Sequence, residues 1–152
     1  MSQILITGGT GTLGRELSSQ LAQSGIVHTV GSRNNRTQMP NRVLCDLLKN
    51  VGVSEAVADK KIIFHLASDL KNDEPITRNL LNAIAPHSDV HLIYMSIVGI
   101  DKVPFAYYKK KLAAEQLIKE SGVPFTILRA TQFHEFIHQI ITTFLAGPIG
   151  FL

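Results

Sequence analysis

Cysteine, tryptophan and charge are all scarce in this chain. One cysteine, Cys45, stands among 152 residues, which excludes an intrachain disulfide framework and a Cys-rich zinc site and suits a reducing compartment. Tryptophan is absent and charged residues make up only 18%, so the blocks of like charge that mark disordered or nucleic-acid-binding tails are missing. The net charge of +3 is spread along the sequence, and nucleic acid is not an expected partner. No basic segment followed by an apolar stretch precedes Ile4-Leu5-Ile6, so a cytoplasmic location is expected. Phe136 to Leu152 carries no formal charge, but His138, Gln139 and the Gly147-Pro148 break interrupt it. It reads as a helix covering a sheet and then a turn, not as a bilayer span, and no membrane partner is expected. What remains is an ordinary globular composition, 45% hydrophobic, expected to fold as one domain over residues 1–152.

Apolar runs alternate with amphipathic stretches from end to end, the pattern of a parallel sheet wrapped by helices. Strands are expected at Gln3 to Thr7, Val27 to Val30, Arg42 to Leu44, Lys61 to Ala67, His91 to Met95 and Phe125 to Leu128. Between them, Leu13, Leu17 and Leu21 give Thr12 to Ser24 one apolar face, and Gly25 stops that helix. Ser54 to Ala58 reads as a short helix with Ser54 as its cap. Asp73 can cap a third helix, with Pro75 in its first turn and Ile76, Leu80, Leu81 and Ile84 as its stripe. Tyr107 to Glu120 places Leu112, Ala113, Leu117 and Ile118 on one side, and Glu135 to Leu145 is a last helix. The fold class is α/β, a Rossmann-type doubly wound parallel sheet of six strands.

The first strand runs into Gly8-Gly9-Thr10-Gly11-Thr12-Leu13-Gly14. Gly8 allows a sharp turn, Gly11 lets backbone approach a pyrophosphate without a Cβ in the way, and Gly14 lets helix pack close to strand. Backbone N–H groups at the helix start then face the anion. Strand, glycine spacing and helix coincide, which points to a dinucleotide.

This loop resembles the cofactor motif of the extended and atypical short-chain dehydrogenase/reductases, especially their NmrA-like NAD(P)H-binding branch. The similarity continues through Ile97-Val98-Gly99-Ile100-Asp101, Tyr107 to Glu115, and Leu128 to His134. It implies an oxidoreductase that moves a hydride to or from a small carbonyl, quinone or sugar-like substrate. A regulatory module that binds the nucleotide and senses its redox state, without turnover, is the alternative. By the same resemblance Asp46 sits by the adenine amino group; a cap or turn carboxylate is the plainer reading.

A dinucleotide site that prefers NAD normally carries Asp or Glu at the end of its second strand, on the ribose 2′-OH. Here Ser32 and Arg33 hold that place, with Arg36 three residues on. A guanidinium pairs with a 2′-phosphate where a carboxylate repels it, so NADP(H) is preferred and NAD(H) is second. Solvated loop charges are the alternative. Leu66, Ala67 and Ser68 follow the fourth strand, where open α/β sheets bind ligands, and are expected against the nicotinamide-side ribose. His65 reads as a hydrogen-bonded strand residue and not as a base.

Tyr107 and Lys111 form an i,i+4 pair on one helix face. In the dehydrogenase reading the ammonium lowers the phenol pKa so that Tyr107 exchanges the proton, and Lys111 also binds the ribose. Ser96, at the end of the fifth strand, matches the family's serine that orients the substrate oxygen. A basic, solvated helix start is the alternative for this trio. Gln132, Phe133 and His134 should border the substrate side. Members of the branch usually continue into a larger substrate-binding segment, most of which this chain is expected to lack. An apolar edge left uncovered would favour self-association.

Overall fold

The computed structural model describes residues 2–34, 40–86 and 89–131. Six strands, β1 (Ile4–Thr7), β2 (Thr29–Ser32), β3 (Arg42–Leu44), β4 (Ile62–His65), β5 (His91–Ile97) and β6 (Phe125–Ala130), pair in the order β3-β2-β1-β4-β5-β6. Every pairing is parallel. The chain moves outward from β1 to β3, then returns to β4 beside β1 and moves outward the other way. Right-handed crossovers put the helices of the two halves on opposite faces, and they leave a crevice at the carboxyl ends of β1 and β4. The expected doubly wound sheet is therefore the observed one.

Helix α1 (Thr12–Gln23) connects β1 to β2, while α2 (Val53–Val57), α3 (Asp73–Ile84) and α4 (Ala106–Glu120) belong to the second half, where α3 packs against both α2 and α4. The main core lies between these three helices and the sheet. Leu5, Ile63, Leu92 and Tyr94 reach it from the strands, and Val57, Ile76, Leu80, Ile84 and Ile118 from the helices. The stripe read for α3 is thus the buried one. Along β5 burial alternates, with Leu92, Tyr94 and Ser96 turned to this core, as the two-residue period of a strand requires.

Four elements depart from the sequence reading, α3 among them because its N-cap is Asn72 and Asp73 is its first helical residue. Strand β2 lies two residues later than the apolar run suggested: Ile26 and Val27 are exposed, and the strand passes instead through Gly31, where an added Cβ would stand 3.1 Å from that of Cys45. Helix α2 is entered through Gly52 in a left-handed conformation, with no side-chain cap from Ser54. Helix α4 buries Lys111, Ala114, Glu115 and Ile118, not the face led by Leu112 and Ala113. Its two charged residues are inside because each has a partner there: Lys111 faces Asp73, and Glu115 accepts a two-pronged pair of hydrogen bonds from Arg129 at 2.8 and 3.0 Å. Buried charges persist only when paired.

Strand β6 ends the sheet, and its Phe125 and Leu128 are exposed. Among the described residues no helix is long and apolar enough to cross a membrane. The expected last helix, Glu135 to Leu145, lies outside the described residues, as do Arg36, Gln132, Phe133 and His134.

Candidate functional site

The turn from β1 into α1 is built from backbone pressed on backbone. Gly8 has a φ of +67°, and a Cβ there would stand 2.5 Å from the Ala67 nitrogen at the end of β4. A Cβ on Gly14 would meet the Gly8 carbonyl oxygen at 2.4 Å and the Gly9 Cα at 2.5 Å. Gly11 differs: its Cβ would find only the Gly8 oxygen, at 3.3 Å, and otherwise open space. Gly11 is also the N-cap of α1, and no side chain caps the helix. The first N–H groups of α1 are thus left for a ligand or solvent at the positive end of the helix dipole.

A cavity of about 400 Å³ opens in front of this turn, at the carboxyl ends of β1, β2 and β4. Of the residues read from sequence, Gly8, Thr10, Gly11, Ser32, Arg33, Leu66, Ala67 and Ser68 line it. Thr12, Gly14 and Asp46 are not on its wall, and Leu13 lines a neighbouring cavity instead. The Ser32 hydroxyl closes a local turn, donating to the Asn34 carbonyl at 3.1 Å and accepting from the Asn34 N–H at 3.2 Å. Asp46 likewise accepts from the Lys49 N–H at 3.0 Å, the turn-carboxylate arrangement. Sequence reasoning missed Cys45, Leu47 and Leu48, which also line this cavity; an apolar residue after a strand carries no signal that separates cavity wall from core. Burial and the neighbouring Asp46 charge push the Cys45 thiol up to about 11, so it stays neutral at physiological pH.

The second cavity, about 180 Å³, holds Leu13, Ser96, Tyr107 and Lys111, and it shares Leu66 and Ser68 with the first. The three residues of the dehydrogenase reading are therefore brought together. Their contacts differ from the expectation. The Tyr107 hydroxyl lies 3.0 Å from the hydroxyl of Ser68. The Ser96 hydroxyl is buried; it makes no hydrogen bond of ordinary geometry among the described residues, but it lies close enough to the Glu115 carboxylate to help hold that pKa down. Lys111 directs its ammonium to the Tyr94 hydroxyl and the Met95 carbonyl, both at 3.1 Å, and to the Asp73 carboxylate at 3.5 Å. Burial lowers the Lys111 pKa, and Asp73 opposes that shift. The Tyr107 pKa is raised, chiefly by burial. The expected lowering by Lys111 does not occur in the chain alone, because the ammonium is committed to other partners.

Asp73 was read only as a helix cap. It is 1% exposed and accepts from the Asp69 N–H at 2.7 Å and from the Ser68 hydroxyl at 3.1 Å. Its pairing with Lys111 joins the starts of α3 and α4, a contact that no local spacing announces. His65 is fully buried and bridges the hydroxyls of Thr7, at 2.8 Å, and Thr77, at 3.0 Å. Burial, and then the Lys111 charge, lower its pKa to about 3. It is a satisfied core histidine, as the hydrogen-bonded reading expected.

A family model described as NAD(P)H-binding matches residues 8–140, which take in the glycine turn, both cavities and α4. The chain belongs to that NAD(P)H-binding family. Membership agrees with the resemblance of its glycine turn to the NmrA-like branch. Among curated proteins, the (4-alkanoyl-5-oxo-2,5-dihydrofuran-3-yl)methyl phosphate reductase of Streptomyces griseus is 26% identical over 137 residues, covering 86% of this chain and 48% of the relative. Among solved structures, a nucleoside-diphosphate-sugar epimerase from Staphylococcus aureus superposes with a TM-score of 0.80 at 20% identity, over 96% of this chain and 56% of that one. An NADPH-dependent quinone oxidoreductase from Escherichia coli, complexed with NADPH, gives 0.77 at 21% identity, over 94% and 54%. This member of the NAD(P)H-binding family spans about half the length of these proteins.

Proposed function

We propose that the chain binds NADP(H) in the larger cavity and belongs to an oxidoreductase acting on a small carbonyl, quinone or sugar-like substrate in the smaller one. The observation that carries this reading is the uncapped start of α1 beside a cavity that Arg33 lines, with no carboxylate at the end of β2; the Asp69 carboxylate, after β4, also lines the cavity and feels the Arg33 charge. The N–H groups of the 8–14 turn would hold the diphosphate. Arg33 would pair with the 2′-phosphate. Leu47 and Leu48 offer an apolar wall to the adenine, and Leu66, Ala67 and Ser68 face the nicotinamide-side ribose.

The bound nucleotide supplies or accepts the hydride. The chain itself would then move one proton, and Tyr107 is the residue to which we give that role. It lines the smaller cavity, and Ser68 meets its hydroxyl on the wall between the two chambers. Ser96 lines the same cavity, where its hydroxyl would hold the substrate oxygen.

Titration calorimetry with NADPH and NADH tests the nucleotide half of the proposal. NADPH is expected to bind at least about tenfold more tightly, and Arg33→Ala to remove that preference, since a charge-assisted bond is worth about 1.5–3 kcal/mol. An NADH preference, or indifference to the arginine, would defeat it. For the catalytic half, NADPH oxidation is measured across carbonyl, quinone and sugar-nucleotide substrates. Tyr107→Phe is expected to cut turnover by a factor on the order of 100 or more; unchanged turnover would remove Tyr107 from the reaction.

A further inference from the structure

The buried carboxylate of Asp73 has no part in the reaction just described, yet it meets both Ser68, the hydrogen-bond partner of Tyr107, and Lys111, which shares its cavity. A hydroxyl carries one proton. Ser68 spends its proton on Asp73, at 3.1 Å to one carboxylate oxygen and 3.3 Å to the other. The Ser68 oxygen can then serve Tyr107 only as an acceptor, so the Tyr107 O–H, 3.0 Å away, donates to it. On its other side Asp73 draws the Lys111 ammonium to 3.5 Å, where Tyr94 and Met95 also hold it.

We propose that Asp73 is a positioning residue for Tyr107: by taking the Ser68 proton it keeps the Tyr107 hydroxyl protonated and aimed at Ser68, and by pairing with Lys111 it holds the ammonium back from that phenol. The proposal rests on the reading of Tyr107 as the proton-transferring residue. Among the described residues, the groups around Tyr107 include Tyr108 from its own helix α4, Asp73 from α3, Tyr94 from β5 and Ser68 after β4, and Lys111 lines the same cavity. Asp73 contributes the negative charge among them. Substituting Asp73→Asn removes that charge and frees the Ser68 proton to bond the phenolate, and both changes favour ionisation of Tyr107.

The chain has three tyrosines and no tryptophan, so the near-ultraviolet tyrosinate band can be titrated cleanly in the full-length protein. Tyr107→Phe identifies which step belongs to Tyr107, and burial holds Tyr94 well above it. Asp73→Asn is expected to lower the Tyr107 step by about one pH unit, a tenfold drop in proton affinity. An unmoved step in a variant with unchanged far-ultraviolet circular dichroism overturns the proposal. Should Asp73→Asn fail to fold, Ser68→Ala decides, because Ser68 is exposed and its truncation opens no cavity in the core. If Tyr107 donates to Ser68, losing that acceptor lowers the Tyr107 step; if Ser68 donates, the step rises. A rise or no change overturns the proposal. The titration needs neither nucleotide nor substrate, so absent NADPH turnover would defeat the proposed function and leave this result standing on its own.

Discussion

Gly14→Ala and Gly11→Ala are expected to part company: both lose NADPH affinity by about 100-fold or more, but only the first loses stability. The new methyl group at Gly14 would lie 2.4 Å from the Gly8 oxygen and 2.5 Å from the Gly9 Cα. These are backbone atoms that cannot swing aside, so β1 and α1 must separate. Overpacking of this kind costs about 1–3 kcal/mol, and a strand-to-helix turn forced open no longer aligns its N–H groups. At Gly11 the methyl group meets only the Gly8 oxygen, at 3.3 Å, a contact that a shift of a few tenths of an ångström relieves, and the backbone φ of −76° suits alanine. It would protrude where the diphosphate is proposed to lie. Chemical denaturation should therefore place Gly11→Ala within about 1 kcal/mol of the parent, while calorimetry finds NADPH binding lost, a factor of 100 being about 2.7 kcal/mol. Retained affinity in Gly11→Ala would move the diphosphate elsewhere.

Acid is expected to unfold this protein early, and His65 is the reason. In the folded chain His65 stays neutral down to about pH 3, against an ordinary value of 6.5. The sign follows from proton counting. Above pH 6.5 neither state takes up a proton at this residue, and stability is unaffected. Below it the unfolded chain binds a proton that the folded chain refuses, so each pH unit costs about 1.4 kcal/mol until the loss levels off near the folded value. Across the whole window the loss is on the order of 5 kcal/mol, comparable to the entire stability of many domains. Urea denaturation from pH 8 to 4 should show the decline starting near 6.5. His65→Gln can still bond Thr7 and Thr77, and it should flatten the slope between pH 6.5 and 5 even if it lowers stability overall. A slope of the same size in His65→Gln would clear His65 of the effect.

Those parts of the fold governed by local pattern were legible in the sequence, and those governed by partners distant along the chain were not. The glycine turn could be read because strand, turn and helix each leave a mark within a few residues. Strand β3 and the buried stripe of α3 were likewise plain, since apolar spacing alone decides them. Helix α4 was misjudged on its inner face because a lysine and a glutamate conventionally mark the solvent side. Lys111 and Glu115 are inside only because Asp73 and Arg129 meet them from α3 and β6. The apolar Val27 drew β2 two residues too early for a similar reason, since nothing local says that it sits on the surface. At the site, Tyr107 and Lys111 could be paired from spacing and Ser96 added through the family resemblance, but not the direction of their hydrogen bonds. That direction depends on Asp73, whose place in the first turn of α3 disguised it as a cap.

Leu66 and Ser68 form a party wall: each chamber has these residues as part of its own lining. A guest in one room that shifts Ser68 alters the surface offered to a guest in the other. Thermodynamic reciprocity then makes that influence equal in both directions, so whatever tightening or loosening the first visitor causes for the second, the second returns in full.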